Sequence, residues 1–312
     1  MPLPTVLMTD VIRSTRQGQS HGGAYLIDLD TGAARQVIDH DDPAINWEGR
    51  GMGRGLRGIA FDNDEIYIAA SDELFVYDPD FNLLRSHTCP NLHHAHEICK
   101  DGRKLFITST THDSVLEFDL NEKVFTSAWH VRAERRPGPS RLPLSLSRFD
   151  PRRAKGPPAD DRFHFNTVWR HEGKTLVSGT VLPMILAIEG SKLTPFARLP
   201  EGTHNARPFE GGVLCNATDQ DCALWCDLQG RPKRRYPIPK YDPRELLAAD
   251  TPGDHARQGF ARGLCVTDDL LIVGSSPGTV SAFELESGRL VKSVNVTMDV
   301  RNAPHGLELW PY

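Results

Sequence analysis

One polar position recurs at the start of a unit that repeats along nearly the whole chain. Segments beginning at Arg57 (RGIAFDNDEIYIAASDELFVYD), His96 (HEICKDGRKLFITSTTHDSVLEFD), Asn166 (NTVWRHEGKTLVSGTVLPMILAIE), His204 (HNARPFEGGVLCNATDQDCALWCD) and Arg262 (RGLCVTDDLLIVGSSPGTVSAFE) align with one another. A sixth begins at His305 (HGLELW) and stops at the C-terminus. Nine residues after each complete anchor an apolar run begins (IYIAA, LFITS, TLVSG, VLCNA, LIVGS), and a second strand pattern closes each unit (FVYD, LEFD, LAIE, WCD, AFE). Short alternating runs with Gly, Asp and Asn between them read as strands and turns.

A self-similar period near 40 residues in an all-β pattern predicts a propeller rather than a sandwich. The truncated sixth copy finds its missing strands at the N-terminus, where VLMTD (6–10), GAYLIDLDTG (23–32) and AARQVI (33–38) match the second, third and fourth strands of a blade. The expectation is one domain, 1–312, an all-β six-bladed β-propeller closed by pairing both chain ends in one blade, which leaves no free edge. Blades start at 55, 94, 164, 202 and 260, with the sixth made of 303–312 plus 1–38, and insertions fall at 39–56, 130–162 and 236–259.

With 39% hydrophobic and 25% charged residues, the composition is that of an ordinary globular protein. A net charge of −5 argues against nucleic acid as a partner. No run approaches a membrane span, and MPLPTVLMTDVIR lacks the basic head and apolar stretch of a signal peptide. The expected location is therefore cytoplasmic, with the six cysteines reduced and Cys222 and Cys226 on one face of a strand rather than a metal or redox pair. The oligomeric state is not specified by the sequence.

The insertions carry a spatial argument. From anchor to anchor the spacings are 39, 70, 38, 58 and 43 residues, so the long connections follow the second and fourth blades, and 39–56 adds a third. In a propeller these connections lie on the face where the innermost strands begin, which is the face of the anchors. Long loops in a compact domain often carry function. The stretch 130–162, with its arginines and prolines, is too polar and proline-rich to be a strand or core helix. It reads as a solvated loop or as a cover that attracts an anionic substrate.

The anchors Arg57, His96, Asn166, His204, Arg262 and His305 are all polar, where a strand facing a core would carry Val or Leu. Six such groups in one ring need water, one another or a ligand. His96, His204 and His305 come from alternate blades and are candidate ligands for a divalent metal, zinc, iron or manganese, with open positions left for substrate. A hydrated, metal-free channel is the alternative. Arg57 and Arg262 suit a carboxylate or phosphate. Asn166 is a candidate ligand or hydrogen-bond donor, and His94 and His164 are candidate general bases or simply histidines at the mouth. Strand alternation places Glu97 and Asn205 off the axis. No nucleophile elbow, P-loop or dinucleotide fingerprint occurs, and GMGRGLRG (51–58) precedes a strand, which argues against a phosphate cradle.

The blade pattern with its terminal closure resembles the six-bladed propellers of the gluconolactonase/strictosidine-synthase-like and NHL-repeat groups. Gluconolactonase-type enzymes use a Glu, Asn and Asp metal site, and this ring lacks those acids. Arginine on the first blade with histidines on alternate blades is more similar to the peptidyl-hydroxyglycine lyase propeller. That resemblance implies His96, His204 and His305 as zinc ligands and Arg57 as a substrate-facing group, although that enzyme is secreted and disulfide-bonded. HEI…LFITST and FHFNTV also resemble an uncharacterised bacterial propeller family. The expected function is a metal-dependent lyase or hydrolase on a small anionic substrate, with a His-ligated Fe(II) oxygenase or a non-catalytic protein- or peptide-binding scaffold as alternatives.

Overall fold

In a computed structural model, residues 2–16, 18–41, 54–134, 144–251 and 257–312 are described. The strands follow the repeat. They run β1 (Thr5–Ile12), β2 (Gly23–Asp28) and β3 (Ala34–Asp39), then blade one as β4 (Ile59–Asp62), β5 (Glu65–Ala70), β6 (Glu73–Tyr77) and β7 (Leu83–His87). Blade two is β8 (Ile98–Asp101), β9 (Lys104–Ser109), β10 (Ser114–Asp119), β11 (Val124–Ala133) and β12 (Leu144–Phe149). Blade three is β13 (Phe165–His171), β14 (Lys174–Gly179), β15 (Leu182–Glu189) and β16 (Lys192–Arg198). Blade four is β17 (Thr203–Phe209), β18 (Gly212–Ala217), β19 (Cys222–Asp227) and β20 (Pro232–Pro237). Blade five is β21 (Ala261–Val266), β22 (Leu270–Ser275), β23 (Thr279–Glu284) and β24 (Leu290–Asn295), and β25 (Asn302–Leu309) ends the chain.

The six sheets make a six-bladed β-propeller, and the sixth blade has the order β25-β1-β2-β3. Its closure is antiparallel, with Met8 opposite Leu307 and Val11 opposite Ala303. The apolar runs of the repeat are the second strands of the blades. Each is covered on both faces by neighbouring blades, so β9 and β22 are buried at five of six positions and β18 at all six. Outermost strands such as β3 and β7 are mostly exposed. The core is accordingly a ring of six apolar clusters, one between each pair of adjacent blades, from Leu74, Leu105 and Phe118 between blades one and two to Leu7, Ile66 and Phe75 between blades six and one.

The stretch 130–162 departs from its expectation. Residues up to Ala133 continue β11, and Leu144–Phe149 pairs along it as a fifth strand on the outer edge of blade two. The alternation in LSLSRF explains it: Leu144 and Leu146 pack against the cluster shared by blades two and three, while Ser147 is exposed. Edge position tolerates the flanking prolines. The rest of that proposed cover, 135–143, lies outside the described residues, as do 42–53 and 252–256 of the other two insertions.

All six cysteines are free thiols. Cys222 and Cys226 belong to one apolar cluster, and the thiol that Cys226 meets is that of Cys215 on the adjacent strand. Among the described residues no helix is long and apolar enough to cross a membrane. Ring closure makes a quantitative expectation. Leu307, on β25, is 2% exposed and packs between blades five and six. Leu307→Ala should cost about 2–5 kcal/mol in denaturant unfolding, whereas Leu84→Ala on an outer strand, 48% exposed, should change the midpoint little.

Candidate functional site at the channel mouth

All six anchors are buried. His204 and Asn166 lie in the innermost strands β17 and β13, Arg262 in β21 and His305 in β25, while Arg57 and His96 lie two residues before β4 and β8. Adjacent inner strands approach closely here. A Cβ on Gly306 would come within 2.3 Å of the Arg57 carbonyl oxygen, and one on Gly58 within 2.7 Å of Glu97 Cα. Only glycine fits at these two contacts.

The histidines divide into two sets. His94, His96 and His164 converge, with ring centroids 4.6 Å apart for His94 and His96, 5.1 Å for His96 and His164, and 5.6 Å for His94 and His164. His305 joins this group at 5.9 Å from His96. His204 stands apart from it, facing Phe260 at 6.4 Å. His94 and His164 both take left-handed backbone conformations, φ 55° and 54°, which turn them toward the channel.

Hydrogen bonds settle the tautomers. His96 Nδ1 meets the His94 carbonyl at 2.9 Å and Thr110 Oγ1 at 2.8 Å. Thr110 donates its own proton to the Phe165 carbonyl, so it accepts from His96. His204 Nδ1 donates to Thr218 Oγ1 at 3.1 Å, since that hydroxyl donates to the Ala261 carbonyl. His305 Nδ1 donates to the Ala303 carbonyl at 2.9 Å, and its Nε2 accepts from Arg262 Nη1 at 2.6 Å. All three anchor imidazoles therefore carry the proton on Nδ1 and keep a lone pair on Nε2. Burial, with nearby guanidinium and imidazole groups, pushes His94, His96, His204 and His305 well below the ordinary histidine value, so they are neutral at pH 7.

An imidazole tethered through its Nδ1 proton, with the Nε2 lone pair left over, is the donor chemistry a divalent metal requires. The arrangement does not complete that site: Arg262 occupies the lone pair of His305 that a metal would take. Among the described residues no group of three or more His, Cys, Asp or Glu side chains is placed to hold a metal ion.

The arginines occupy the adjoining arc of the mouth, where Arg57 Nη1 donates to the Ala95 carbonyl at 3.4 Å, between His94 and His96. Arg262 has the ring of Phe260 at 4.4 Å from its guanidinium carbon, and Arg13, just after β1, approaches the same ring at 4.9 Å. Burial and then repulsion from Arg13 lower Arg57 to about 9, and burial with repulsion from Arg13 and Arg57 lowers Arg262 too. Asn166, a candidate ligand or hydrogen-bond donor, has its amide engaged between blades. Its Nδ2 donates to Thr180 Oγ1 and the Thr203 carbonyl at 2.8 and 3.0 Å, and its Oδ1 accepts from Thr167, which ties blade three to blade four.

Three features escaped the sequence reading. Asp161 accepts from His164 Nδ1 at 3.0 Å, forming a carboxylate–imidazole pair. Phe260 organises the arginine arc. Beneath the anchors lies a second polar layer, and it corrects the placement of Glu97 and Asn205: Asn205 Nδ2 donates to Glu97 Oε2 at 2.7 Å, reaching from blade four to blade two. A register shift between His204 and Arg207, with Asn205 at φ 50°, breaks the alternation, so successive residues both face inward. Arg207 and Glu308 pair likewise at 3.1 Å between blades four and six.

Comparisons with known proteins come down to the fold. The chain is similar to a chain of a nidogen/laminin complex (TM-score 0.58, 11% identity, 97% of each chain covered). It is also similar to a protein of unknown function from Bacteroides caccae (TM-score 0.59, 14% identity, 98% of each covered). No protein-family model matches the chain. No curated protein matches it either.

Burial and the neighbouring Glu308 raise Glu97 from the ordinary 4.5 to about 8. Between those values the folded state holds a proton that the unfolded chain has released, so stability falls as pH rises through this window. Glu97→Gln removes that dependence. Wild type should lose stability relative to the variant as pH climbs from 4.5 to about 8, read from denaturant midpoints.

Proposed function

We propose that the channel mouth is the active site of an enzyme, a lyase or hydrolase acting on a small anionic substrate. The observation that carries this reading is the Arg262–His305 contact of 2.6 Å. It joins a guanidinium arc on blades five, six and one, in which Arg57 and Arg262 are buried and Arg13 is half-buried, to an imidazole cluster on blades two and three. Guanidinium groups hold an anionic group in fixed geometry, and a neutral imidazole beside them moves a proton near neutral pH.

The roles divide along the two arcs. Arg57 and Arg262 hold the anionic end of the substrate. His164 is the general base, because Asp161 holds its Nδ1 and leaves Nε2 for the proton, with the rings of His94 and His96 beside it. Taking a proton from carbon starts an elimination; taking one from water makes the nucleophile of a hydrolysis. His94, neutral and half-buried, stands next to His164 to pass the proton on.

Purified protein should turn over a member of a panel of small phosphorylated and carboxylated compounds. On that substrate His164→Ala should lower kcat by about 10²–10⁴-fold, Asp161→Asn by less, and Arg262→Ala should mainly raise KM. Unchanged kcat in His164→Ala would sink the assignment, and no turnover across the panel would favour a binding scaffold.

The second reading keeps a divalent metal (zinc, iron or manganese) on His96, His204 and His305, and the observation favouring it is the tethering of all three Nδ1 atoms. Elemental analysis tests it: stoichiometric metal that disappears in His204→Ala supports this reading, and iron would point to an oxygenase. Equal metal content in a triple His→Ala variant, or none in wild type, removes it.

A further inference from the structure

We infer that the anion received at the mouth is a doubly charged tetrahedral oxyanion, a phosphate or phosphomonoester, seated on Arg13, Arg57 and Arg262 beside Phe260. The inference rests on the mouth being a small-anion site and names its substrate class.

Three guanidinium carbons surround the Phe260 ring, those of Arg262, Arg13 and Arg257 at 4.4, 4.9 and 5.5 Å from its centroid. No two of them can be farther apart than two such radii, a separation that salt screens only partly. Arg257 is accounted for by Asp221, which also takes Lys240 at 2.8 Å. Arg262 is not. It is 7% exposed, its hydrogen bond among the described residues goes to neutral His305, and its Nε has no hydrogen-bond partner there. Repulsion from Arg13 and Arg57 acts on it more strongly than the attraction of Asp219. A buried cation with this surrounding is completed by an anion.

The choice of anion follows from directions and charge. A carboxylate has two coplanar oxygens and one negative charge, and a single bidentate guanidinium satisfies it. Here the cations approach from three consecutive blades, five, six and one, so a ligand meeting all three needs acceptor oxygens pointing in several directions. Phosphate has them, together with a second charge. His96 Nε2, a lone pair without a hydrogen-bond partner among the described residues, can also accept the O–H of a singly protonated phosphate, which a carboxylate does not have.

Calorimetric titration of the whole protein with inorganic phosphate, acetate and phenyl phosphate at pH 7 and constant ionic strength tests this. Phosphate should bind about tenfold or more tightly than acetate. Arg262→Lys, which keeps the charge but loses the planar fork, should weaken phosphate by about tenfold, and Arg13→Ala should weaken it too. Arg231→Ala, on an exposed turn of blade four, should leave it unchanged. Tighter phenyl phosphate than inorganic phosphate identifies a phosphomonoester substrate; the reverse identifies the free anion. Acetate binding as well as phosphate, through Arg262, overturns the phosphate assignment and leaves the small-anion active site standing. Binding of neither overturns both.

Discussion

The pairing of β1 with β25 is the constraint from which the rest of this molecule follows. Two strands almost three hundred residues apart in the chain share one antiparallel ladder, and that ladder turns a row of blades into a ring. Once the ring is closed, each apolar blade face has a partner, and six similar clusters replace a single central core. Hydrophobic burial drives the packing, but closure fixes the radius. A fixed radius is what makes equivalent residues on different blades meet around one axis.

That convergence creates an electrostatic problem at the mouth. Guanidinium and imidazole groups crowd together where water is scarce, and burial penalises their charged forms. His96, His204 and His305 respond by staying neutral, each with its Nδ1 proton anchored by a backbone carbonyl or a threonine hydroxyl. The arginines respond less readily, because guanidinium holds its proton strongly. The result is a mouth with a cationic arc and an imidazole arc, joined through His305. Such an arrangement receives negative charge on one side and handles protons on the other. The layer beneath, where Asn205 meets Glu97 and Arg207 meets Glu308, ties blades two, four and six together.

Much of this was legible in the sequence because a repeat exposes its own geometry. The apolar runs nine residues after each anchor are the doubly covered second strands, and the N-terminal segments are the outer strands of the sixth blade. Arg262, His94, His96, His164 and His305 could be picked out because equivalent positions in a ring must approach one another. Strand alternation misled the reading at Asn205, since a bulge at one residue reverses the facing of those after it, and at Glu97, which lies just before β8 and not in the regular strand. Proline content misled it at 144–149, where an outer edge accepts a strand that a sheet interior would refuse. Asp161 and Phe260 lie in connections and not in the repeat, so no periodicity marked them.

The sequence by itself determined the number of blades, the closure of the ring and the polar character of six equivalent positions, because burial patterns and periodicity are local properties written along the chain. Only the tertiary structure decided which of those positions act together. His96 joins His94 and His164, His204 turns to Phe260, Asn166 spends its amide on two threonine hydroxyls and a blade-four carbonyl, and Arg262 takes the lone pair of His305. These choices depend on backbone conformations at single residues and on hydrogen bonds between blades, and such partners are distant in sequence and carry no periodic mark.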